Sequence, residues 1–252
     1  MRVGLVGCIV ALWTLSGTAQ ACPAPSPALL VHGCRTPVAA RLLLLPDEPA
    51  PAPGASPVWA VTGVYTGTEA RAGGGRLPVG LFVHGGRVIN PNLGRMDGIL
   101  LVSPDGALSL HHSRRVRFDG QRFDLRQPDD RAAFARAAAA AGWSVAQSHL
   151  LIVDGNVDVR PRADAPRFTR RILFTGPEGI GLWQSPMPMT LYEASLALAD
   201  AHAPRMALNL DMGSYNYCWR LLEGANRRCG LLGMADLARV SNLIVLQERP
   251  RR

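Results

Sequence analysis

The sequence predicts an α+β fold, with a mixed, largely antiparallel β-sheet core and a few packed helices in a single domain. Short apolar runs are separated by turns rich in Gly, Asn, Asp and Pro, which is typical of strands joined by tight connections. Two segments carry helix-start signals, at Pro128 and Thr190. With 252 residues, the chain is long enough to bury a substantial core.

Residues 1–21 have the composition of a secretory signal peptide. A basic start is followed by apolar residues 3–15, which are too few for a comfortable membrane span, and by a small-residue cleavage site at 19–21. Cleavage there makes Cys22 the first mature residue and implies a periplasmic or secreted protein. Lipidation of Cys22 is an alternative, although Ala19 stands where a lipoprotein signal usually has Leu.

Residues 22–57 form a leader that is rich in Pro and Ala and contains one short apolar strand at 41–45. Its prolines favour an extended linker. The remainder, residues 58–252, is assigned to the folded domain.

The chain is strongly basic, with a formal net charge of +8, and its Lys+Arg complement is entirely arginine. The absence of lysine excludes Schiff-base catalysis and the lysine of a P-loop. The arginines are scattered, without a long basic run or an interleaved aromatic motif, so the sequence does not indicate a nucleic-acid partner. The charge suits solubility or the attraction of acidic glycans and phosphates.

Four cysteines remain after the signal peptide is removed, and they fall into two local pairs. Export to an oxidising compartment makes disulfides the expected state. Four cysteines allow three pairings, and closeness in sequence favours Cys22–Cys34 and Cys218–Cys229. None of them has the spacing or the neighbouring histidines of a metal site.

The first half of the domain is predicted to consist of strands and hairpins, with strands at residues 58–64, 79–83, 99–102 and 107–112. The polar, Gly-rich residues 67–75 have three possible explanations: a hairpin connection, a disordered tip or the scar of a deletion. The spacing of the glycines does not fit a phosphate-binding loop.

The second half contains both predicted main helices. Pro128 suits the first position of a helix over residues 128–141, and Thr190 with Glu193 forms a capping box that opens the other helix. Residues 143–154 are predicted to form either a pair of strands or one long strand. Further strands are predicted at 169–174, 180–183, 206–210 and 242–247, and a short helix at 231–239.

Residues 207–219 are the most informative stretch of the chain. An apolar strand runs without a breaker to Leu210 and gives way at Asp211 to a segment rich in Gly, Ser and Asn. Carboxylates placed at a strand end face the crevice where open α/β sheets bind ligands, and Gly213 allows a tight turn or a close approach to a ligand. A surface turn capped by Asp211 is the simpler explanation.

This stretch resembles the Ala-Leu-Asn-Leu-Asp-Gly-Gly signature of the phosphodiester glycosidase family. Residues 209–211 and Gly213 match the signature, Ser214 stands near the family's usual Ser, and Met212 replaces the first Gly. Other elements in the same order extend the resemblance over residues 77–219.

Three of those elements carry polar residues. Asp97, followed by Gly98, stands at an Asn-Gly position of the family. Gln147 lies in a run similar to Gln-Ser-Gly-Pro, in which His149 replaces the Gly-Pro region, and Arg170 matches an Arg at the start of a strand.

The resemblance implies a site for glycoside cleavage. Asp211 and Asp97 would be the catalytic carboxylates, one donating a proton and the other acting as base or nucleophile. Arg170 would hold the phosphate, because its planar fork can donate two hydrogen bonds to two phosphate oxygens. The substrate and the carboxylates would be oriented by Asn209, Gly213, Ser214 and Gln147.

The function expected from the resemblance is that of an exported hydrolase that cleaves a glycosidic bond in a phosphodiester-linked sugar or an envelope glycan. No cofactor is required, although a divalent cation at Asp211 is conceivable. No membrane span is expected in the mature chain.

The alternative is a non-catalytic envelope protein of the same fold that binds a glycan or a protein partner. In it, Tyr215, Tyr217 and Trp219 could stack on sugars. Their alternation equally suits one face of a strand in the core.

Overall fold

The structure is a computed structural model that describes residues 29–31, 38–51, 59–72, 74–177, 179–222 and 225–248. The predicted signal peptide and the predicted Cys22–Cys34 bridge lie outside the described residues. No helix in the described part of the chain is long and apolar enough to cross a membrane.

The chain is built mainly from short strands. In order they are β1 (Leu29–Val31), β2 (Val38–Leu44), β3 (Trp59–Thr62), β4 (Thr66–Ala70), β5 (Arg76–Pro78), β6 (Phe82–His84), β7 (Arg87–Asn90), β8 (Gly98–Val102), β9 (Leu108–His112), β10 (Val116–Phe118), β11 (Gln121–Phe123), β12 (Ser144–Ser148), β13 (Leu150–Val153), β14 (Asn156–Val157), β15 (Arg171–Gly176), β16 (Gly179–Gln184), β17 (Met206–Asn209), β18 (Cys218–Leu222), β19 (Ala225–Arg228) and β20 (Asn242–Glu248). The α-helices are α1 (Pro128–Ala140) and α2 (Leu191–His202), and 3₁₀-helices lie at Gly213–Tyr215 and Met234–Arg239.

Three sheets form the body of the protein. Their strand orders are β1-β16-β15-β17-β13-β14, β7-β6-β12-β8-β9 and β19-β18-β3-β20-β2, and β4-β5 and β10-β11 are separate hairpins. Neighbouring strands in all of them run antiparallel, and a parallel pairing occurs at the isolated bridge between Tyr217 and Leu232. The largely antiparallel α+β fold predicted from the sequence is therefore confirmed.

The three sheets share one apolar core, and each has a second buried face. In β8, Leu100 and Val102 point into the shared core, whereas Ile99 and Leu101 pack beneath helix α1. Helix α2 covers the outer face of the six-stranded sheet in the same way, and the Met234–Arg239 segment lies over the third sheet. Burial on both faces explains why many strands are continuously apolar in sequence.

Both predicted α-helices are confirmed. Helix α1 begins at Pro128 and ends one residue earlier than predicted. Helix α2 begins with the complete capping box, in which the Thr190 hydroxyl accepts from the Glu193 N–H and the Glu193 carboxylate accepts from the Thr190 N–H.

One predicted strand requires correction, and one question left open by the sequence is answered. The strand predicted over residues 79–83 begins only at Phe82, because Gly80 has a φ of +79° and the Leu81 N–H donates to the Gln147 side chain instead of to a neighbouring strand. The Gly-rich residues 67–75 belong to the β4-β5 hairpin, which was one of the three explanations left open.

The chain crosses from one sheet to another at His149. Residues 143–154 form two strands, as one of the two alternatives predicted, but β12 lies in the five-stranded sheet with β8, and β13 lies in the six-stranded sheet with β17. The side chain at the crossover is thereby placed between the two sheets.

Strand β2 lies within the segment predicted to be a leader, yet it is integral to the fold. It pairs with β20 from Val38 to Leu44, and Leu42 and Leu44 belong to the shared core. A cut at residue 57 would therefore remove an edge strand of the third sheet.

The predicted disulfide between Cys218 and Cys229 is present. It joins the start of β18 to the segment after β19, and the Cys229 N–H also donates to the Cys218 carbonyl at 2.9 Å. Tyr217, next to the bridge, is buried in the core over the third sheet, so its ring is a core residue and not a sugar platform.

Candidate functional site

Asp211 follows β17 at a point where the backbone is held on both sides. The Leu210 N–H donates to the Arg171 carbonyl at 2.9 Å, and the Asp211 N–H donates to the Gly63 carbonyl at 2.8 Å. The Asp211 carboxylate accepts from the Thr66 N–H at 2.9 Å and is 5% exposed. Burial raises the pKa of Asp211 to about 6, although hydrogen bonds from Thr66 and Met212 oppose the rise.

Asp211 lines a cavity of about 310 Å³. This size falls at the lower end of small-molecule sites. The cavity is lined by Tyr65, Phe168, Arg170, Asn209, Leu210, Asp211, Met212, Gly213, Ser214 and Tyr215. Arg170, Asn209, Asp211, Gly213 and Ser214, all predicted from the sequence as site residues, thus meet at one cavity.

Asn209 and Tyr65 form a polar pair in the wall. The Asn209 Nδ2 amide donates to the Tyr65 hydroxyl and to the Leu210 carbonyl, whereas Oδ1 is buried without a hydrogen-bond partner among the described residues. Burial, and then the charge of Asp211, raise the pKa of Tyr65 to about 12. Tyr65 therefore keeps its proton at physiological pH and remains a donor.

Arg170 brings a positive charge to the cavity on a fixed side chain. Its Nε donates to the Met189 carbonyl at 2.9 Å and its Nη2 to the Pro166 carbonyl at 2.7 Å, while the guanidinium stands 5.1 Å from the Phe168 ring centre. Burial lowers the pKa of Arg170, but it stays charged. No carboxylate lies within ion-pair distance of it in the described part of the chain, so the charge is available to an anion.

Gly213 and Ser214 form the exposed edge of the cavity, on the 3₁₀-helix that follows Asp211. Gly213 has a φ of +71°, a conformation that favours glycine, and it lets the chain turn away immediately after the carboxylate. Both residues line the cavity and are exposed to solvent.

Asp97 does not line this cavity. Its Oδ1 accepts from the Leu150 N–H at 3.1 Å, and Oδ2 lies 4.0 Å from His112 Nε2. His149 interacts electrostatically with both Asp97 and Arg170, and its ring packs against the Tyr65 ring in a T-shaped contact with centroids 5.8 Å apart. Burial lowers the pKa of His149, with Asp97 opposing that change, so the imidazole is neutral near pH 7.

Gln147 does not line the cavity either. Its Oε1 accepts from the Leu81 and Gly94 N–H groups at 2.9 and 2.8 Å, and its Nε2 donates to the Gly94 and Met96 carbonyls. The side chain is fully buried and all of these bonds go to backbone. Gln147 therefore positions the loop that carries Asp97.

A buried arginine, Arg171, lies next to the site. Its guanidinium donates to the Tyr217 carbonyl, the Gln184 amide oxygen and the Asn216 amide oxygen at 2.7–3.0 Å. Complete burial lowers its pKa to about 9. The residue joins β15 to the segment that follows Asp211.

One group of possible metal ligands occurs among the described residues, and it does not include Asp211. Asp97, His112 and Asp158 each place a ligand atom within 4.8 Å of the others. The His112 Nδ1 accepts from the Arg114 N–H, so the proton of the neutral ring is on Nε2, facing Asp97. This tautomer favours a His–Asp contact over a metal bond through Nε2.

Two cavity residues were missed by sequence reasoning, Tyr65 and Phe168. Tyr65 comes directly after the strand predicted at 58–64, as Asp211 comes directly after the strand predicted at 206–210, and that shared position was a usable signal. Phe168 had no such signal. Phe168 is a candidate site residue because its side chain is 48% exposed and lies against Arg170, and only the folded chain shows this.

No family model and no curated protein matches this chain. Among solved structures, the zebrafish N-acetylglucosamine-1-phosphodiester alpha-N-acetylglucosaminidase catalytic domain, auto-inhibited by its pro-peptide, is similar at 13% identity. That match covers 84% of this chain and 73% of the zebrafish chain with a TM-score of 0.49. A hypothetical protein from Synechocystis is also similar at 13% identity, over 87% of this chain and 58% of its own, with a TM-score of 0.48.

Proposed function

We propose that this protein is an exported hydrolase that cleaves the glycosidic bond of a sugar attached through a phosphodiester, as its resemblance to the phosphodiester glycosidases implies. The observation that carries the proposal is the meeting of a buried carboxyl, Asp211, and a guanidinium without a carboxylate partner among the described residues, Arg170, at one small cavity. A sugar phosphate linkage needs both a proton donor and a cation that can hold the phosphate.

Asp211 is the proton donor in this proposal. A carboxyl with a pKa near 6 keeps a protonated fraction at mildly acidic to neutral pH and can protonate the oxygen that leaves the anomeric carbon. Its hydrogen bond from the Thr66 N–H fixes the orientation of the group. Tyr65, which stays protonated, supplies a further donor beside it.

The remaining residues bind the substrate. Arg170 would hold the phosphate, and its two bonds to backbone carbonyls limit the entropy lost on binding. The unpartnered Oδ1 of Asn209 would accept from a sugar hydroxyl, and the exposed Phe168 ring would stack on a sugar face. Ser214 and the backbone at Gly213 would contact the substrate at the cavity mouth.

Asp97 is the second carboxylate of the proposal. Because it lies on the far side of His149, it would act only on a substrate or water that extends past Tyr65. Asp211 is the one carboxylate lining the cavity among the described residues, and this observation favours the second candidate function, a glycan-binding protein without catalysis.

Hydrolysis of a panel of sugar phosphodiesters by the mature protein tests the proposal. Asp211→Asn keeps the shape and should lower turnover by roughly a hundredfold or more, because the proton donor is lost. Asp200→Asn, on the exposed side of α2, is the matched control and should leave turnover unchanged.

Three outcomes are informative. Loss of turnover in Asp211→Asn alone supports the hydrolase. Absence of hydrolysis by the unmodified protein, together with glycan binding that Asp211→Asn weakens, supports the binding protein. Unchanged turnover and binding in Asp211→Asn would remove Asp211 from the site.

A further inference from the structure

A second, larger concavity lies on the other side of Asp97. It has a volume of about 700 Å³ and is formed by β9, the β10-β11 hairpin and the start of β17. We call it the basic cleft, and it is lined by Leu108, Ser109, Leu110, His111, His112, Arg115, Arg117, Arg122, Asp154, Thr175, Arg205 and Met206. It shares no lining residue with the cavity at Asp211.

The charge of the basic cleft is strongly one-sided. Four arginines line it against one carboxylate, Asp154, which is paired with Arg115 at 2.7 Å. Among the residues that the structure describes, no carboxylate lies within ion-pair distance of Arg117, Arg122 or Arg205. Within the described part of the chain, these three charges therefore have no carboxylate partner.

Two of them are placed in direct opposition. Arg117 and Arg122 are register partners across the β10-β11 hairpin, so both side chains project from the same face. Like charges directly opposite each other destabilise a strand pair. An anion bound between them would convert this repulsion into two charge-assisted contacts.

The hairpin that carries this pair is well anchored. Val116, Phe118 and Phe123, which alternate with the arginines, are buried in the cluster beneath helix α1. The backbone that carries the two arginines is therefore anchored at the edge of the cleft.

The basic cleft is adjacent to the proposed catalytic region. His112 lines it and approaches the Asp97 carboxylate at 4.0 Å. Asp97 in turn interacts electrostatically with His149, whose ring contacts Tyr65 in the wall of the cavity. A chain that leaves the cavity past Asp97 would meet the arginines next.

We propose that the basic cleft binds a saccharide chain carrying more than one anionic group, phosphate or carboxylate, whose end occupies the cavity at Asp211. The binding of anions follows from the arginines alone, whereas the saccharide nature of the chain rests on the proposed function. Among the described residues that line the cleft, the histidines are the only aromatic ones, so this lining lacks the Phe, Tyr and Trp rings on which unpaired nucleic-acid bases stack.

Direct binding measurements test this inference with three probes of equal length: a saccharide oligomer linked by phosphodiesters, an oligogalacturonate and a neutral oligosaccharide. The test variant is Arg117→Gln/Arg122→Gln. The matched control is Arg126→Gln/Arg136→Gln, which removes the same charge from exposed positions outside the cleft. Arg205→Gln, from a different element, serves as a second test should the hairpin variant unfold.

At least one anionic probe should bind, and the one that does identifies phosphate or carboxylate as the group recognised. The hairpin variant should weaken that affinity by roughly tenfold, Arg205→Gln by severalfold and the control by less than twofold, and higher salt should shrink all the differences. Equal binding of the neutral probe, equal loss in the control, or tighter binding of an oligonucleotide of equal charge would overturn the inference. Because this experiment measures binding affinity and not turnover, an absence of hydrolysis would contradict the proposed enzymatic function without changing the measured affinities.

Discussion

Burial of the Asp211 side chain lowers the stability of the fold at neutral pH, and the same burial raises the pKa that makes the residue a possible proton donor. Burial raises its pKa from 3.8 to about 6, so the unfolded chain holds the ionised carboxylate more easily than the native one does. Below pH 3.8 both states are protonated and the residue costs nothing. As pH rises from 3.8 through 6, the unfolding free energy falls by about 3 kcal/mol relative to its value in acid, where Asp211 is protonated in both states.

At the residue scale, we therefore expect Asp211→Asn to become relatively more stable as pH rises. The amide does not titrate, and its oxygen can still accept from the Thr66 N–H, so the difference in stability between variant and parent should grow between pH 4 and pH 7. Thermal unfolding of both proteins over this range measures it. A variant that is less stable than its parent by more than about 1 kcal/mol at pH 7 would mean that the carboxylate is structural.

At the scale of elements, the buried side chain of Gln147 supplies hydrogen bonds to backbone groups that lie outside the strands. These groups belong to Leu81, Gly94 and Met96. Gln147→Ala should cost roughly 3 kcal/mol or more, because several buried backbone groups lose their partners. Denaturant unfolding measures the loss. Equal stability of the alanine variant and the parent would contradict the assignment.

The disulfide after Asp211 is also an element-scale feature. It closes a segment with a sequence separation of 11, so the chain-entropy model assigns it on the order of 2–3 kcal/mol. Cys218→Ala/Cys229→Ala should lower the unfolding free energy by about that amount, and non-reducing peptide mapping should find the bridge in the parent. Free thiols at both positions in oxidised protein would rule it out.

At the scale of the whole molecule, the remaining prediction concerns export. Cleavage after Ala21 should produce a mature protein that starts at Cys22, because the apolar segment and the small-residue site have signal-peptide dimensions. Intact-mass measurement of the exported material checks this. Retention of Met1, or protein confined to the cytoplasm, would contradict it, and an added lipid mass on Cys22 would identify a lipoprotein.

The sequence by itself determined the features that depend on neighbouring residues. Helix α2 could be predicted from Thr190 and Glu193 because a capping box is complete within four residues. The Cys218–Cys229 bridge and the position of Asp211 at a strand end are equally local, and they needed no knowledge of the fold.

Only the tertiary structure decided which residues meet. The split of residues 143–154 between two sheets depends on pairing with β8 and β17, which lie far away in sequence, and no local pattern encodes it. That crossover buries Gln147, sets His149 between Asp97 and Tyr65, and leaves Asp211 as the cavity's carboxylate. The opposed pair Arg117 and Arg122 is likewise visible only when the register of the β10-β11 hairpin is known. The position of each arginine along the chain does not show which residue lies opposite it, and only the pairing of the strands does.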